Sequence, residues 1–277
     1  MRYRRRSSGL LAPEEGLSMP RINLRGVERV DPASMGTLVG AKPPSPGENF
    51  LLRASLQCYY KFENGADLGE DYKGNIALTN VNAVTQSATI PSGTYAAPTA
   101  TKSASFASAS SQRLTATHAV SLEIDDLTEL TGLAWIRATT LGQRLIWEKG
   151  EYLADGHNLF TNSDSHLRGR FSNVGIDPYG GALSTSTWYF VAITYSQTAD
   201  AIQLYRGTES VQIAAYGSSA AAVDKTASTA GGFAIGSTAA AGGSYWDGLI
   251  CELAIFSELL TLAKLQEVQQ YGMDGSG

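Results

Sequence analysis

The residues best equipped for chemistry in this 277-residue chain are one carboxylate run, three histidines and a scatter of aromatics. Glu123-Ile-Asp125-Asp-Leu-Thr-Glu129 is the densest group of carboxylates. Retaining cleavage of a glycosidic bond needs two carboxyl groups about 5 to 5.5 Å apart, and a strand reading Glu-x-Asp-x-(x)-Glu can set such a pair on one face. Here the second glutamate falls six residues after the first, one too late for that spacing, and the run precedes a strand instead of forming one. It reads as a solvated acidic turn. His118, His157 and His166 are the only histidines, and no Ser occupies a Gly-x-Ser-x-Gly turn, so nothing points to a nucleophilic triad. No catalytic residue is assigned, and the chain is expected not to be an enzyme.

Binding chemistry is better represented. Trp147, Tyr152, His157, Tyr179 and Tyr245 lie near expected loops and are of the type on which a ligand ring can stack, whereas Trp135 and Trp188 sit in alternating segments and are expected in the core. Asp71, Asp155, Asn158, Asp164, Asp177, Asp224 and Asp247 carry oxygens that Ca²⁺ could use, yet no run approaches a dense Asp-x-Asp-x-Asp loop. No cofactor and no metal ligand is assigned, a structural calcium being the one ion these scattered oxygens admit. Asp71 and Asp247 read as turn residues that cap their own backbone. Arg2, Arg4, Arg5 and Arg6 form the one basic cluster, suited to an acidic protein surface.

These side chains must be carried by two kinds of chain. Residues 1–50 hold six of the nine prolines and 8 Lys+Arg against 5 Asp+Glu, with no sustained period of 2 or 3.6. Proline fixes φ and removes a donor, so an extended arm is expected there. Its apolar stations, among them Leu10, Leu11, Leu17, Ile22, Leu24, Val27 and Val39, read together with Arg4 and Arg5 as anchor points against another surface. From Leu56 onward the period is 2, in short segments broken by Gly, Asn, Asp and Ser, which predicts at least ten strands and therefore two sheets. Leu56, Cys58 and Tyr60 share one face by alternation, as do Leu249, Cys251 and Leu253, so both cysteines are expected to be buried and reduced. The Ala/Ser/Thr/Gly-rich stretches around 85–111 and 216–243 read as long surface loops. Thr261 is expected to cap a helix whose apolar face is Leu262, Leu265 and Val268, stopped at Gly272 in the left-handed conformation and lying across an end of the sandwich. A net charge of −5 argues against nucleic acid as a principal partner, and no apolar run is long enough to span a bilayer. Leu10-Leu-Ala12 is too short to serve as the apolar stretch of a secretion signal, so folding in a cytoplasm is expected.

An ordered series of fragments resembles a known family. Tyr59-Tyr-Lys-Phe62-Glu-Asn-Gly65 followed by Asp71-Tyr-Lys-Gly74, then Ser103–Phe106, Leu130-Thr-Gly-Leu-Ala-Trp135, Trp188-Tyr-Phe-Val-Ala-Ile-Thr-Tyr195, Phe233-Ala-Ile-Gly236 and Trp246-Asp-Gly248-Leu-Ile-Cys-Glu252, are similar to successive elements of laminin G-like, concanavalin A-like jelly-roll domains. The resemblance runs over about residues 55–271 and departs at Arg206-Gly-Thr-Glu209, where the family usually has an Asn/Asp-Gly hairpin. It implies an all-β, two-sheet antiparallel jelly-roll sandwich with a short C-terminal helix, assigned to residues 51–277 after the extended arm of residues 1–50. The first functional expectation is architectural: a non-enzymatic virion protein, decorating a capsid or associated with a tail, attached by the arm to proteins of that particle. The alternative is a carbohydrate-binding adhesin or lectin module that engages a surface glycan, and the third is a glycoside hydrolase or lyase of the same fold.

Overall fold

The computed structural model describes residues 47–117, 128–150, 156–171, 174–175, 181–219, 232–239 and 243–276. The arm residues Arg4, Arg5, Leu10, Leu11, Leu17, Ile22, Leu24, Val27 and Val39 lie outside them, as do Tyr152, Tyr179, Glu123 and Asp125.

The strands are β1 (Leu56–Tyr60), β2 (Thr79–Val81), β3 (Thr85–Ser87), β4 (Ser103–Phe106), β5 (Arg113–Ala116), β6 (Glu129–Ala138), β7 (Arg144–Lys149), β8 (His157–Thr161), β9 (Leu167–Phe171), β10 (Val174–Gly175), β11 (Tyr189–Ser196), β12 (Ala201–Thr208), β13 (Ala214–Ser219), β14 (Phe233–Ile235) and β15 (Gly248–Phe256), and one helix, α1 (Leu262–Tyr271), follows. They form two antiparallel sheets. The first runs β13-β12-β11-β6-β15-β4-β3, with β1 also paired to β15, and the second runs β10-β9-β8-β7-β14-β5-β2.

The central strands of the first sheet are buried on both faces, and their alternation shows how. In β11, Val191, Ile193 and Tyr195 meet the second sheet, while Phe190 and Ala192 belong to another apolar cluster on the outer side. That outer cluster includes Trp135, Trp188 and Phe256 together with Phe50, Leu265, Val268 and Met273, so α1 and the chain around Phe50 cover the sheet's back. The expectation that the helix closes an end of the sandwich is corrected accordingly. Leu265 and Val268 are buried as expected, but Leu262 is 36% exposed. Thr261 caps the helix by accepting from Lys264 N–H, and Gly272 ends it at φ 75° with an extended ψ of 177° instead of the left-handed helical value.

Two bulges overturn the simple alternation around the cysteines. Pairing slips between Leu56 and Cys58 in β1 and between Cys251 and Ala254 in β15, where Glu252 takes a φ of 52°. An extra residue reverses which face the following side chains use. Cys58 and Tyr60 therefore face the inter-sheet core while Leu56 faces outward, and Cys251 and Leu249 face outward while Leu253 faces inward. Both thiols are buried and free, on opposite faces of one sheet.

The stretch 85–111 is not simply loop, since β3 and β4 lie in it. Val211 sits in a turn where Thr208 N–H donates to its carbonyl at 2.9 Å, and β13 begins at Ala214. Residues 47–50 pack on the sandwich. Phe50 is fully buried, its N–H donates to Met273 O at 2.8 Å, and Gly47 lies so close to Tyr271 and Gly275 that a Cβ would meet them at 2.9 to 3.2 Å.

Candidate functional site

Of the aromatics expected to meet a ligand, two are core residues. Trp147 is fully buried in β7 and reaches across the sandwich until a Cβ on Gly132 of β6 would stand 2.6 Å from its ring, so only glycine fits opposite it. The cause is a third bulge, between Leu145 and Trp147, which turns both Ile146 and Trp147 inward. His157 is also fully buried, stacked on Phe171 with centroids 5.0 Å apart. Tyr245 is partly exposed under the Arg113 guanidinium, 6.0 Å from the ring centroid. Glu129, the described end of the acidic run, starts β6 and accepts from Leu259 N–H at 3.4 Å. Among the described residues, no group of three His, Cys, Asp or Glu side chains converges as a metal site.

A surface pocket of about 90 Å³ lies elsewhere, in the loop between β1 and β2. Lys61, Phe62, Glu63, Asn64, Asp67, Glu70 and Tyr72 line it. Asp71 organises the turn at one side: its carboxylate accepts from the backbone N–H groups of Tyr59, Lys73, Asn75 and Ile76 at 2.8 to 3.0 Å. The expected turn role of Asp71 is thus observed, extended to the neighbouring strand. With Asp71 turned inward, Tyr72 points out, 59% exposed, its ring edge-on to Tyr59 at 5.9 Å.

The other side of the pocket is the loop after β1. Phe62 leaves the strand with φ 59°, a conformation that a bulky residue rarely adopts, and is held there by burial and by Gln86, whose amide donates to the carbonyls of Phe62 and Glu63 at 2.8 and 2.7 Å. Leu68 enters the core, and Gly69 packs so tightly on Leu78 that a Cβ would lie 1.8 Å from its carbonyl oxygen. These anchors fix a polar rim. Lys61 Nζ is 3.0 Å from Glu63 and 5.6 Å from the centroid of the Tyr72 ring, while Asn64 donates to Glu70 at 2.9 Å. Partial burial pulls the Glu63 carboxyl upward, but the Thr101 N–H and Lys61 outweigh it and hold the group below its ordinary value, so it stays ionised.

A further carboxylate stands behind this loop. Glu252, at the β15 bulge, accepts from the Tyr59 hydroxyl at 2.7 Å and from Ala100 N–H at 2.8 Å and is almost wholly buried. Burial pushes it up to about 7.

The sequence profile of the concanavalin A-like lectin/glucanases superfamily matches residues 108–266, which span β5 to α1. The chain belongs to the concanavalin A-like lectin/glucanase superfamily. The pocket loop of this superfamily member lies before the matched stretch. No curated protein sequence matches the chain. Among solved structures, it is similar to domain 4 of AbnA, a GH43 extracellular arabinanase from Geobacillus stearothermophilus, in complex with arabinotriose: 18% identity, TM-score 0.53, covering 78% of this chain and 98% of that one. It is also similar to the Trypanosoma rangeli sialidase, at 13% identity and TM-score 0.52, covering 82% of this chain and 35% of the sialidase. Identities this low establish a shared fold for this superfamily member and nothing finer.

Neither expected core tryptophan misleads: Trp135 and Trp188 are both buried. Tyr72 was missed because the Asp71-Tyr-Lys-Gly74 turn serves the fold and the family resemblance equally well without it. An aromatic inside a tight Asp-x-x-Gly turn, whose neighbours cap the backbone, is the signal that could have found it.

Proposed function

We propose that this superfamily member is a non-enzymatic carbohydrate-binding module that engages a single sugar residue at the Tyr72 pocket. The observation that carries the reading is the exposed Tyr72 ring beside carboxylate and amide groups on a loop anchored at Phe62, Leu68 and Gly69. Sugars are recognised by this combination: an aromatic face for the apolar C–H side of the ring, and acceptors for its hydroxyls. A pocket of about 90 Å³ admits part of one residue, so the affinity of one domain should be low and should rise with multivalent display. The arabinotriose complex of the AbnA domain supports a glycan as the ligand class.

A hydrolytic acid must hold its proton near neutral pH and reach the leaving oxygen. Glu252 meets the first condition with a value of about 7 but is sealed behind Tyr59, and Glu63, which reaches the pocket, is held ionised. The other reading, a virion protein attached by residues 1–50, rests on the combination of a proline-marked arm with a sandwich, and that arm lies largely outside the described residues.

The test is a glycan array with wild type and Tyr72→Ala, together with a reducing-sugar assay over the polysaccharides that bind. Tyr72→Ala should weaken retention about tenfold, the equivalent of ~1.4 kcal/mol of lost ring contact, with little change in melting temperature because the residue is 59% exposed. Equal binding by the variant would remove the pocket from consideration, and sugar release would reinstate the hydrolase reading.

A further inference from the structure

The donor and acceptor inventory of the pocket goes one step beyond glycan binding, and rests on that reading of the Tyr72 site. Its two nitrogen-bearing side chains are already engaged: Lys61 with Glu63 at 3.0 Å and the Asn64 amide with Glu70 at 2.9 Å. Its carboxylates are only partly used. Glu70 accepts from Asn64 through Oε2, and Asp67 accepts from Gly69 N–H through Oδ1 at 3.1 Å, while both residues remain exposed. Around the Tyr72 ring, the formal charges are therefore three carboxylates against one ammonium, and that ammonium is paired.

A rim of this kind offers acceptors. Sugar hydroxyls and amino groups can donate to it, whereas a carboxylate or sulfate on the ligand finds no free cation and meets like charge at short range. We propose that the Tyr72 pocket selects saccharides without acidic groups, neutral or amino sugars, and rejects uronic acids, sialic acids and sulfated sugars. The repulsion acts at an exposed site, so it is screened by salt.

The experiment compares oligosaccharides in matched pairs, each neutral backbone against its uronic-acid or sulfated form, on the full chain at low and high ionic strength. The probes are oligogalactose against oligogalacturonate and lactose against sulfated lactose. The neutral member should bind about tenfold more tightly at low salt, as expected for one unfavourable charge contact, with the gap narrowing at high salt. Replacing Asp67→Asn and Glu70→Gln together should narrow the gap at low salt as well. Acidic members bound as tightly as their neutral partners, with loss on Tyr72→Ala, would overturn the selectivity and leave the glycan reading standing. If the wild-type chain retains no glycan of either kind, both fall.

Discussion

At the β15 bulge, Glu252 occupies a place where its charged form is disfavoured: burial lifts it from 4.5 to about 7, against the lowering pull of the Tyr59 hydroxyl, the amides of Ala100 and Thr99, and Lys61. The folded chain therefore binds this proton more tightly than the unfolded chain does. Its contribution to stability is complete below about pH 4.5 and is lost as pH rises to about 7, with a ceiling on the order of 3 kcal/mol. The carboxylates held low, Glu48, Glu63, Asp164, Asp247 and Asp274, act with the opposite sign but below that window. Denaturant midpoints measured from pH 5 to 7.5 should fall for wild type by more than for Glu252→Gln, whose amide can still accept from Tyr59 and Ala100. Parallel curves for the two proteins would mean that Glu252 is not the titrating group. Individual side chains were legible in the sequence where local chemistry decides their role, as at Asp71, Trp135, Trp188 and Thr261. They were not where a bulge intervenes, since an inserted residue leaves no mark in the pattern of polarity, as at Trp147, nor where a polar ring is buried by a tertiary contact, as His157 is against Phe171. Asp247 was half read, since it does accept backbone and hydroxyl hydrogen bonds, but from Ser108 and Thr140 far along the chain instead of its own turn.

The elements themselves were readable when long and alternating. β6, β11 and β15 emerge where period 2 predicts them, whereas β2 and β3 are three residues each and consist largely of polar side chains, and β5 has only four residues, too short for any period to register. The helix illustrates a second limit. Its apolar positions were visible, but the residue that seats it is Gln269, fully buried, whose Oε1 accepts from Ile213 N–H at 2.6 Å and whose Nε2 donates to the carbonyls of Thr208 and Val211 at 2.9 and 3.0 Å. A polar residue on a helix reads as solvent-facing, and only the tertiary contact shows that it completes the turn between β12 and β13. Gln269→Ala would leave the buried Ile213 N–H without its acceptor and take one donor each from the Thr208 and Val211 carbonyls, the second of which keeps the Thr208 N–H, at about 1 to 3 kcal/mol in total after relaxation. Equilibrium urea unfolding measures this, and a loss below about 0.5 kcal/mol would mean that the turn re-pairs without the helix.

Across the whole molecule, chain connectivity and fold are less tightly bound than the residue order suggests. Gly47 touches Gly275, and Glu48 pairs with Arg53 and with Lys264 of α1, so the first and last described segments of the sandwich run side by side. A polypeptide whose ends meet can be closed into a ring and reopened elsewhere with little entropic loss, because the new linker need span only a few ångströms. Joining Ser276 to Gly47 through a few glycines and cutting between Thr198 and Ala199, in the exposed turn that links β11 to β12, should yield a permuted chain with the same β-type circular dichroism. Loss of that spectrum would show that β11 and β12 must be contiguous for folding. The same geometry makes the sandwich a cassette: spliced into a surface loop of a host protein, it would enter and leave through one small doorway and disturb the host's backbone no more than a short hairpin does.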